Sequence, residues 1–236
     1  MSKMVTTKYY NRTFEKIPQQ KRLKVLKIAA RELASAGLSG ARMKDIANQA
    51  EISYGSLYNY FPTRDDMIRT IIQEGRSLQE AIFAEARGLS GDFFAILEKI
   101  LIQTQNLSRE HPALIAIWVE VSHSYNERFA ADVMDLENDG IKFWKHMLLT
   151  GVESGDLSPQ TNLAAAAFLI DNAISGLLKS CISSVQHQRL KLFFEPPLCA
   201  EIDKPGTNIQ GKEQADDQFI RDSLMAMFRT LLQNRD

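Results

Sequence analysis

Residues 43–67 read MKDIANQAEISYGSLYNYFPTRDDM and contain two short helical patterns joined by a turn. In the first pattern apolar residues recur at i, i+3, i+4 and i+7, which predicts a helix with one buried face. The turn at 51–53 ends on Ser53, a residue type that caps helix N-termini. The second pattern, residues 54–61, has two apolar residues four apart and a polar, aromatic remaining surface. Two helices of this kind are typical of a helix-turn-helix, whose second helix reads the major groove of DNA.

An ordinary helical hairpin is the alternative interpretation of the same residues. In that case Leu57, Tyr58 and Phe61 belong to a core, whereas Tyr54 and Tyr60 are solvated rings. Helix pairs of this size are common in all-helical proteins, so the motif by itself does not decide between the two.

The flanking sequence favours the DNA-binding interpretation. Residues 21–36 have the apolar spacing of an amphipathic helix, and Gly37 is suited to end it in a left-handed conformation. Pro62 stops the second short helix, and Thr63 is a good N-cap for a longer helix. That helix is predicted over 65–86 and is long enough to reach into a second domain.

Residues 25–68, VLKIAARELASAGLSGARMKDIANQAEISYGSLYNYFPTRDDMI, resemble the N-terminal domain of the TetR family of transcriptional regulators. The matching positions are Gly37, Asp45 to Ala47, Ser53, Gly55, Leu57 to Phe61 and Arg64. Two departures stand out. Ala41 and Arg42 occupy positions where the family usually has a Thr or Ser cap, and Glu51 replaces the usual glycine of the turn.

The resemblance implies an all-α fold: an N-terminal three-helix DNA-binding domain with a helix-turn-helix, followed by a larger C-terminal helical domain for ligand binding and dimerisation. We predict a basic N-terminal arm at 1–17, the DNA-binding domain at 18–66 and the second domain at 67–236. Within the second domain, residues 188–214 carry prolines and glycines and are predicted to form a long irregular segment.

The family's DNA contacts are carried over to the positions that match its motif. The predicted DNA-binding residues are Arg42, Lys44, Ser53, Tyr54, Gly55, Ser56, Tyr58, Asn59, Tyr60 and Arg64. Among them Tyr58, Tyr60 and Arg64 resemble positions that hold phosphates. Tyr54, Ser56 and Asn59 are the expected readers of base edges, since an amide offers both a donor and an acceptor to adenine.

The charge distribution divides the chain in the same way. Residues 1–75 carry thirteen Lys and Arg against seven Asp and Glu, whereas residues 76–236 carry fifteen against twenty-two. A basic end is what binding to a polyanion requires. For four basic residues near the N-terminus, a solvated arm and a DNA-contacting arm are equally compatible with the sequence: Lys3, Lys8, Arg12 and Lys16.

Composition limits the class of protein. With 236 residues and 44% hydrophobic content the chain is expected to be soluble and globular. No apolar run is expected to be long enough to span a membrane and no signal peptide is recognisable, so we expect a cytoplasmic protein. Cys181 and Cys199 are too few for a disulfide framework, and reduced thiols are favoured over a redox-sensing pair.

Two helices near the C-terminus are predicted to form a homodimer interface, near 162–185 and 216–233. Each has an apolar stripe, and the family resemblance implies that this pair of helices joins two subunits. A dimer is also expected because one short recognition helix reads few base pairs, whereas two copies read a palindromic operator. The alternative is that both stripes close the core of a single subunit.

The resemblance further implies a small-molecule effector whose binding releases DNA. Candidate ligand-binding residues are Phe94, Trp118, His123, Tyr125, Phe129, Trp144, Met147 and Asp171. Their aromatic and methionine-rich character suits an apolar or aromatic ligand, although for each residue taken singly an ordinary core position is the favoured interpretation. A DNA-binding interaction protein, whose second domain holds a protein partner, is the competing hypothesis.

The sequence offers no motif for an enzyme or a cofactor. It contains no phosphate-binding glycine loop and no nucleophile elbow. The four histidines lack the ligand spacing of a zinc site, so we predict no metal, no cofactor and no catalytic residues.

Overall fold

The computed structural model describes residues 8–123, 127–195 and 209–233, although the side chains of His123 and of 209–215 are outside that description. Eleven α-helices and one 3-10 turn occur in these residues, which confirms the all-α prediction. The first four helices are α1 (Arg12–Lys16), α2 (Gln19–Gly40), α3 (Met43–Gln49) and α4 (Tyr54–Tyr60). The next four are α5 (Arg64–Gly88), α6 (Phe93–Glu110), α7 (Pro112–His123) and α8 (Ala130–Glu153). The last three are α9 (Leu163–Ile182), α10 (Ser184–Phe194) and α11 (Ile209–Leu232), and the 3-10 turn is Glu127–Phe129.

The chain divides into two compact units. Unit 1 comprises Met1–Glu80 and His111–Leu136, and unit 2 comprises Ala81–Glu110 and Glu137–Asp236. The unit that contains the helix-turn-helix is therefore larger than the predicted domain 18–66, because α7 and the start of α8 pack into its core. A functional boundary after residue 66 stays a prediction.

The core of unit 1 brings one face of each helix together. α2 contributes five buried residues at helical spacing before the kink and Leu38 after it, and α5 contributes four. From α2 they are Val25, Leu26, Ala29, Ala30 and Leu33, and from α5 they are Met67, Ile68, Ile71 and Ile72. Leu57 of α4 and Phe61, the residue that follows α4, pack in the same core as these side chains of α2 and α5. Because these side chains are almost fully buried, the position of α4 is fixed by a packed core.

The kink at Gly37 differs slightly from the prediction. Gly37 has φ 75°, a left-handed conformation that suits glycine, but α2 continues for one more turn to Gly40. The Leu38 amide, which the kink leaves without a helical partner, donates to Glu120 Oε1 of α7 at 3.0 Å. The extra turn is stabilised by this tertiary contact, which the local sequence does not reveal.

Unit 2 has an aromatic core of its own. Phe83 and Phe143 stack with ring centroids 3.9 Å apart, and Trp144 meets both rings edge-on. The α9 residues predicted to face a second subunit lie mainly in this core, notably Ala167, Ile170 and Leu177. For these residues the structure follows the alternative that the stripe closes the core of one subunit.

Two other expectations about this part of the chain need correction. The predicted irregular segment is shorter than 188–214, because α10 extends to Phe194 and α11 begins at Ile209, while 196–208 lie outside the described residues. Among the described helices, α9 is long and apolar enough to cross a membrane by length and composition, contrary to our expectation. Core helices pass the same test, and α9 has one face in the core of unit 2. The cytoplasmic location stays a prediction.

Candidate nucleic-acid interface

α4 begins with the cap that the sequence predicts. Ser53 has an extended backbone, and its Oγ accepts a hydrogen bond from the Ser56 amide at 3.0 Å. The two hydroxyls are also 2.8 Å apart, so the Ser56 side chain is engaged with the cap. The cap satisfies one of the four amides that a helix N-terminus leaves without a partner.

The turn before α4 has a strained backbone. Glu51 has φ 56°, the left-handed region that glycine adopts at little cost and other residues rarely adopt. The Ile52 amide donates to the Ala47 carbonyl oxygen at 3.0 Å, which closes the turn. The Glu51 carboxylate pairs with the Lys24 ammonium, and this hydrogen bond holds the pKa of Glu51 below its usual value.

The exposed face of α4 presents two tyrosines. Tyr54 and Tyr58 are 50% and 39% exposed, and their rings meet edge-on with centroids 4.9 Å apart. The hydroxyls of Tyr54 and Tyr58 are hydrogen-bonded at 3.3 Å, and this interaction raises the pKa of Tyr58. Gly55 and Asn59 are also exposed, so four of the predicted contacts on α4 are accessible to a large partner.

Tyr60 is placed differently from the prediction. It is only 8% exposed, and its ring packs 5.3 Å from that of Phe14. Phe14 of α1, which is itself in the core, also packs against Phe61 at 4.7 Å. Because α1 covers this side of α4, the Tyr60 ring belongs to the core of unit 1 and does not form part of the exposed face.

The C-terminal end of α4 is held by residues that sequence reasoning assigned only to a basic arm. The Asn11 amide donates to the Tyr60 carbonyl oxygen at 2.9 Å, and Asn11 Nδ2 donates to the Asn59 carbonyl oxygen at 3.2 Å. The Thr13 hydroxyl donates to the same Asn59 oxygen. A helix of seven residues has few internal bonds, so two capped carbonyls matter for its position. No sequence signal identified this contact, since it joins residues more than forty positions apart.

The predicted basic arm is partly folded against unit 1. The Lys8 ammonium pairs with Glu15, whereas Arg12 and Lys16 are exposed. Lys3 lies outside the described residues.

Arg64 lies at the junction between α4 and α5. Its guanidinium donates to the carbonyl oxygens of Ser39 and Ala41 at 3.0 and 3.2 Å, so it is oriented by the last turn of α2 and the residue that follows it. The start of α5 is a capping box: the Asp66 amide donates to Thr63 Oγ1, and the Thr63 amide donates to Asp66 Oδ2.

The remaining predicted DNA contacts lie at the start of α3. Arg42 and Lys44 are exposed, and Arg42 stands at the N-cap without a side-chain hydrogen bond to α3. The departure from a Thr or Ser cap at this position therefore leaves the first turn of α3 without that interaction.

Behind the exposed face, α5 is tied to the start of α8 and the turn before it. Arg69 Nε donates to Asp132 Oδ2 at 3.1 Å, and its Nη2 donates to the Arg128 carbonyl oxygen at 3.0 Å. Arg128 pairs in turn with Asp65, and Arg76 pairs with Asp135. We call these three arginine–aspartate pairs the α5–α8 ladder.

The predicted ligand-binding residues do not form one group within a single unit. Trp118 and Phe129 belong to unit 1, whereas Phe94, Trp144 and Met147 are buried in the core of unit 2. Tyr125 and the side chain of His123 lie outside the described residues. Asp171 also belongs to unit 2, and burial raises the pKa of its carboxyl.

The cysteines offer little support for a redox pair. Burial raises the pKa of Cys181 to about 11, so its thiolate is scarce at neutral pH and the thiol is a poor nucleophile. Cys199 lies outside the described residues. Over the described parts of the chain, no three metal-ligating side chains converge.

Comparison with known proteins identifies the chain's relatives. Residues 25–71 match the family described as "Bacterial regulatory proteins, tetR family". The HTH-type transcriptional repressor KstR2 of Rhodococcus jostii (strain RHA1) is 31% identical over 159 residues, which cover 65% of this chain and 76% of that protein.

Two solved structures share the fold over most of both chains. A TetR family transcriptional regulator from Chloroflexus aurantiacus J-10-FL superimposes with a TM-score of 0.67 at 19% identity, covering 96% of this chain and 99% of the other. FadR from Bacillus subtilis in complex with stearoyl-CoA superimposes with a TM-score of 0.62 at 13% identity, covering 85% and 98%. Together with the helix-turn-helix geometry of α3 and α4, the extended match to the Rhodococcus repressor shows that this chain belongs to the tetR family of DNA-binding transcriptional regulators.

Proposed function

We propose that this regulator is a repressor that binds a palindromic operator as a homodimer and is released by a small apolar or aromatic ligand. The observation that carries the proposal is the surface of α4. The helix is capped at both ends, rests on a packed core and exposes Tyr54, Tyr58 and Asn59. Exposed aromatic and amide groups on a rigid helix are suited to base edges and phosphates in a major groove.

Dimerisation is proposed from the length of α4 and from exposed apolar side chains. Seven residues span only about 10 Å, so one recognition helix reads a few base pairs. Unit 2 exposes large apolar residues on the two predicted interface helices, α9 and α11, and on α10 next to them. They are Phe168, Leu169, Val185, Leu192, Phe193 and Leu231, of which Val185, Leu192 and Phe193 are each 70% exposed.

Burial of these side chains against a second copy would remove a large apolar area from water. The surface differs from the stripe that the sequence suggested, because the Ala167 face of α9 is already used by the core. The two predicted helices are retained in the proposal, with Phe168 and Leu169 as the α9 contribution and Leu231 as that of α11.

A ligand response is proposed because two helices continue from unit 1 into unit 2. α5 starts two residues after Pro62 and crosses from one unit to the other, and so does α8. The α5–α8 ladder ties these helices together close to the start of α5. A shift of α5 or α8 in unit 2 would therefore change the position of α4. A helix with two alternative positions is the kind of two-state element that allostery requires.

The proposed ligand is apolar or aromatic because the interior of unit 2, to which Phe94, Trp144 and Met147 belong, is apolar and rich in aromatic rings. Asp171, whose pKa is raised by burial, would supply a polar group. A protein of the same fold, FadR, is described in complex with stearoyl-CoA, so an acyl-CoA is a reasonable first probe.

The experiment that tests the proposal is selection of bound sequences from random duplex DNA with the purified protein. We expect a palindrome whose half-sites are about one or two helical turns apart. The recovered operator then reports release when candidate ligands are added. Recovery of duplexes without a common motif would contradict the proposal.

The same exposed apolar residues favour one alternative, a DNA-binding regulator whose second unit binds another protein. Light scattering at micromolar concentration separates the two. A dimeric mass supports the homodimer, whereas a monomeric mass together with a non-palindromic motif supports the protein-partner hypothesis.

A further inference from the structure

The outer face of α2 carries a row of basic side chains. Lys24, Lys27 and Arg31 are all exposed and recur at i, i+3 and i+7, which places them on one side of the helix. We call these three residues the α2 ridge. The row contains no carboxylate, and the opposite side of α2 is the face that is buried in the core of unit 1.

Two of the three charges in the α2 ridge are unneutralised. Lys24 pairs with Glu51 of the turn. Within the described part of the chain, no carboxylate pairs with Lys27 or Arg31. Unpaired, exposed cations in a row create a positive potential along the surface, which attracts a polyanion.

The α2 ridge lies beside the turn that leads into the recognition helix. At one end Lys24 pairs with Glu51, and at the other Glu32 accepts a hydrogen bond from Gln49 Nε2 at 2.8 Å. Lys27 and Arg31 lie between these two contacts along α2. The turn ends on Ser53, the N-cap of α4, so the ridge flanks the end of α4 where the exposed tyrosines begin.

We propose that Lys27 and Arg31 bind backbone phosphates of the duplex next to the base pairs that α4 reads. This inference rests on the proposed DNA-binding role of α4 and extends the contact surface to a helix outside the helix-turn-helix. From Lys24 to Arg31 the ridge is about 10 Å long. Phosphates of one strand follow one another at about 3.4 Å along the duplex axis, so the ridge matches two or three of them.

These contacts carry charge but no base recognition. Each neutralised phosphate releases counterions, so a contact contributes about 0.9 to the slope of log affinity against log salt. Loss of Lys27 and Arg31 is therefore expected to flatten the slope by up to about 1.8 per subunit. As the salt concentration rises from 50 to 200 mM, the wild-type protein is therefore expected to lose about tenfold more affinity per subunit than the variant that lacks both charges.

The test compares K27Q/R31Q with K142Q/K145Q, a control that removes two exposed charges from α8 in unit 2. Both variants change the net charge equally, and helix content by circular dichroism checks that each is folded. Binding to the selected operator, with flanking base pairs, is measured from 50 to 200 mM salt. We expect K27Q/R31Q to have the flatter slope and to keep the wild-type ratio of affinities for the operator and a base-substituted operator.

A second measurement leaves the protein unchanged. Methylphosphonates placed at the phosphates on either side of the recognised base pairs remove the DNA charges one at a time. Wild-type protein is expected to lose affinity at two or three of these positions, and K27Q/R31Q to be insensitive at the same positions.

Equal slopes for the two double variants would overturn the inference, and so would equal sensitivity to the methylphosphonates. If the selection recovers no motif, the proposed function fails separately. The slopes are then compared on a random duplex, where a phosphate contact still contributes. An altered sequence preference in K27Q/R31Q would also contradict the inference, because it would mean that the ridge touches base edges.

Discussion

Glu51 occupies a backbone conformation that its side chain disfavours. Its φ of 56° lies in the left-handed region, where a Cβ crowds the following carbonyl oxygen. Two hydrogen bonds hold the turn in place, from the Glu51 amide to Asn48 and from the Ile52 amide to Ala47. The surrounding fold therefore imposes a conformation that glycine would adopt without strain.

Two substitutions separate backbone strain from the ion pair. Glu51→Gly and Glu51→Ala both remove the pair with Lys24, but only glycine relieves the strain. We expect Glu51→Gly to unfold about 2–4 °C above Glu51→Ala. Thermal unfolding by circular dichroism measures the difference, and equal midpoints would show that the turn is unstrained.

Asn59 and Arg64 are expected to act differently on DNA binding. Asn59 is exposed on α4, whereas the Arg64 guanidinium is oriented by the carbonyl oxygens of Ser39 and Ala41. Asn59→Ala should relax the preference at one base pair of each half-site. Arg64→Ala should weaken binding to all duplexes and flatten the salt slope by about 1 per subunit.

Competition assays with single-base variants of the selected operator measure both effects. If Asn59→Ala loses affinity equally on all duplexes, Asn59 does not read a base. If the salt slope of Arg64→Ala matches that of the wild type, Arg64 does not contact a phosphate.

At the scale of elements, α1 and the residue before it act as a support for α4. Asn11 and Thr13 satisfy carbonyl oxygens at the C-terminal end of α4, and Phe14 fills the space beside Tyr60 and Phe61. A seven-residue helix is unstable in isolation, so its order depends on such tertiary contacts.

Removal of this support is expected to loosen α4 before it unfolds the unit. Asn11→Ala combined with Thr13→Ala should lower the free energy of unfolding by about 1–2 kcal/mol and reduce protection of the α4 amides in hydrogen exchange. Arg12→Ala, an exposed neighbour in α1, is the matched control. Unchanged protection of α4 would mean that the core alone holds the helix.

The α5–α8 ladder is the second interaction between elements with a measurable effect. The Asp132 carboxylate is 10% exposed and depends on Arg69, whose guanidinium also lies over the rings of Tyr9 and Phe129 at 5.5 Å. Arg69→Met leaves the carboxylate without its partner and should cost about 2 kcal/mol, since the arginine is partly exposed. Asp132→Asn in the same chain should recover part of that loss.

Urea unfolding of the two single variants and the double variant gives the coupling energy. The cycle also separates the ion pair from the ring contacts, because Asp132→Asn leaves those contacts in place. Additive effects of the two substitutions would contradict a coupled pair.

At the scale of the whole molecule, the exposed apolar residues of α9, α10 and α11 are the feature that a single chain leaves unexplained. Leu192 and Phe193 are exposed to the same extent as Val185, and burial against a second copy is the proposed explanation. Two copies would also place two α4 helices on one duplex, which a palindromic operator requires.

Leu192→Glu combined with Phe193→Glu should convert the dimer into a monomer, because charges cannot be buried without partners. We expect light scattering to give half the wild-type mass and operator affinity to fall at least tenfold, with helix content retained. Lys142→Gln combined with Lys145→Gln, on α8, changes the net charge by the same amount and is the control for charge. A dimeric mass for the Leu192 and Phe193 variant would place the interface elsewhere.

The amino-acid sequence by itself determined the elements that depend on local patterns. The capped helix-turn-helix and the left-handed Gly37 follow from apolar spacing, cap residues and glycine, which act over a few neighbouring positions. The family resemblance rests on the same local residues and therefore does not depend on knowledge of the tertiary structure.

Tertiary structure alone decided the features that join distant parts of the chain. Asn11 donates to Asn59, and Glu120 accepts from the Leu38 amide, although no local pattern indicates either contact. Tyr60 and the Ala167 face of α9 are buried in the cores, whereas local patterns assigned them to DNA binding and to a subunit interface. The physical reason is that helical spacing shows which residues share a face, whereas only packing shows what that face meets.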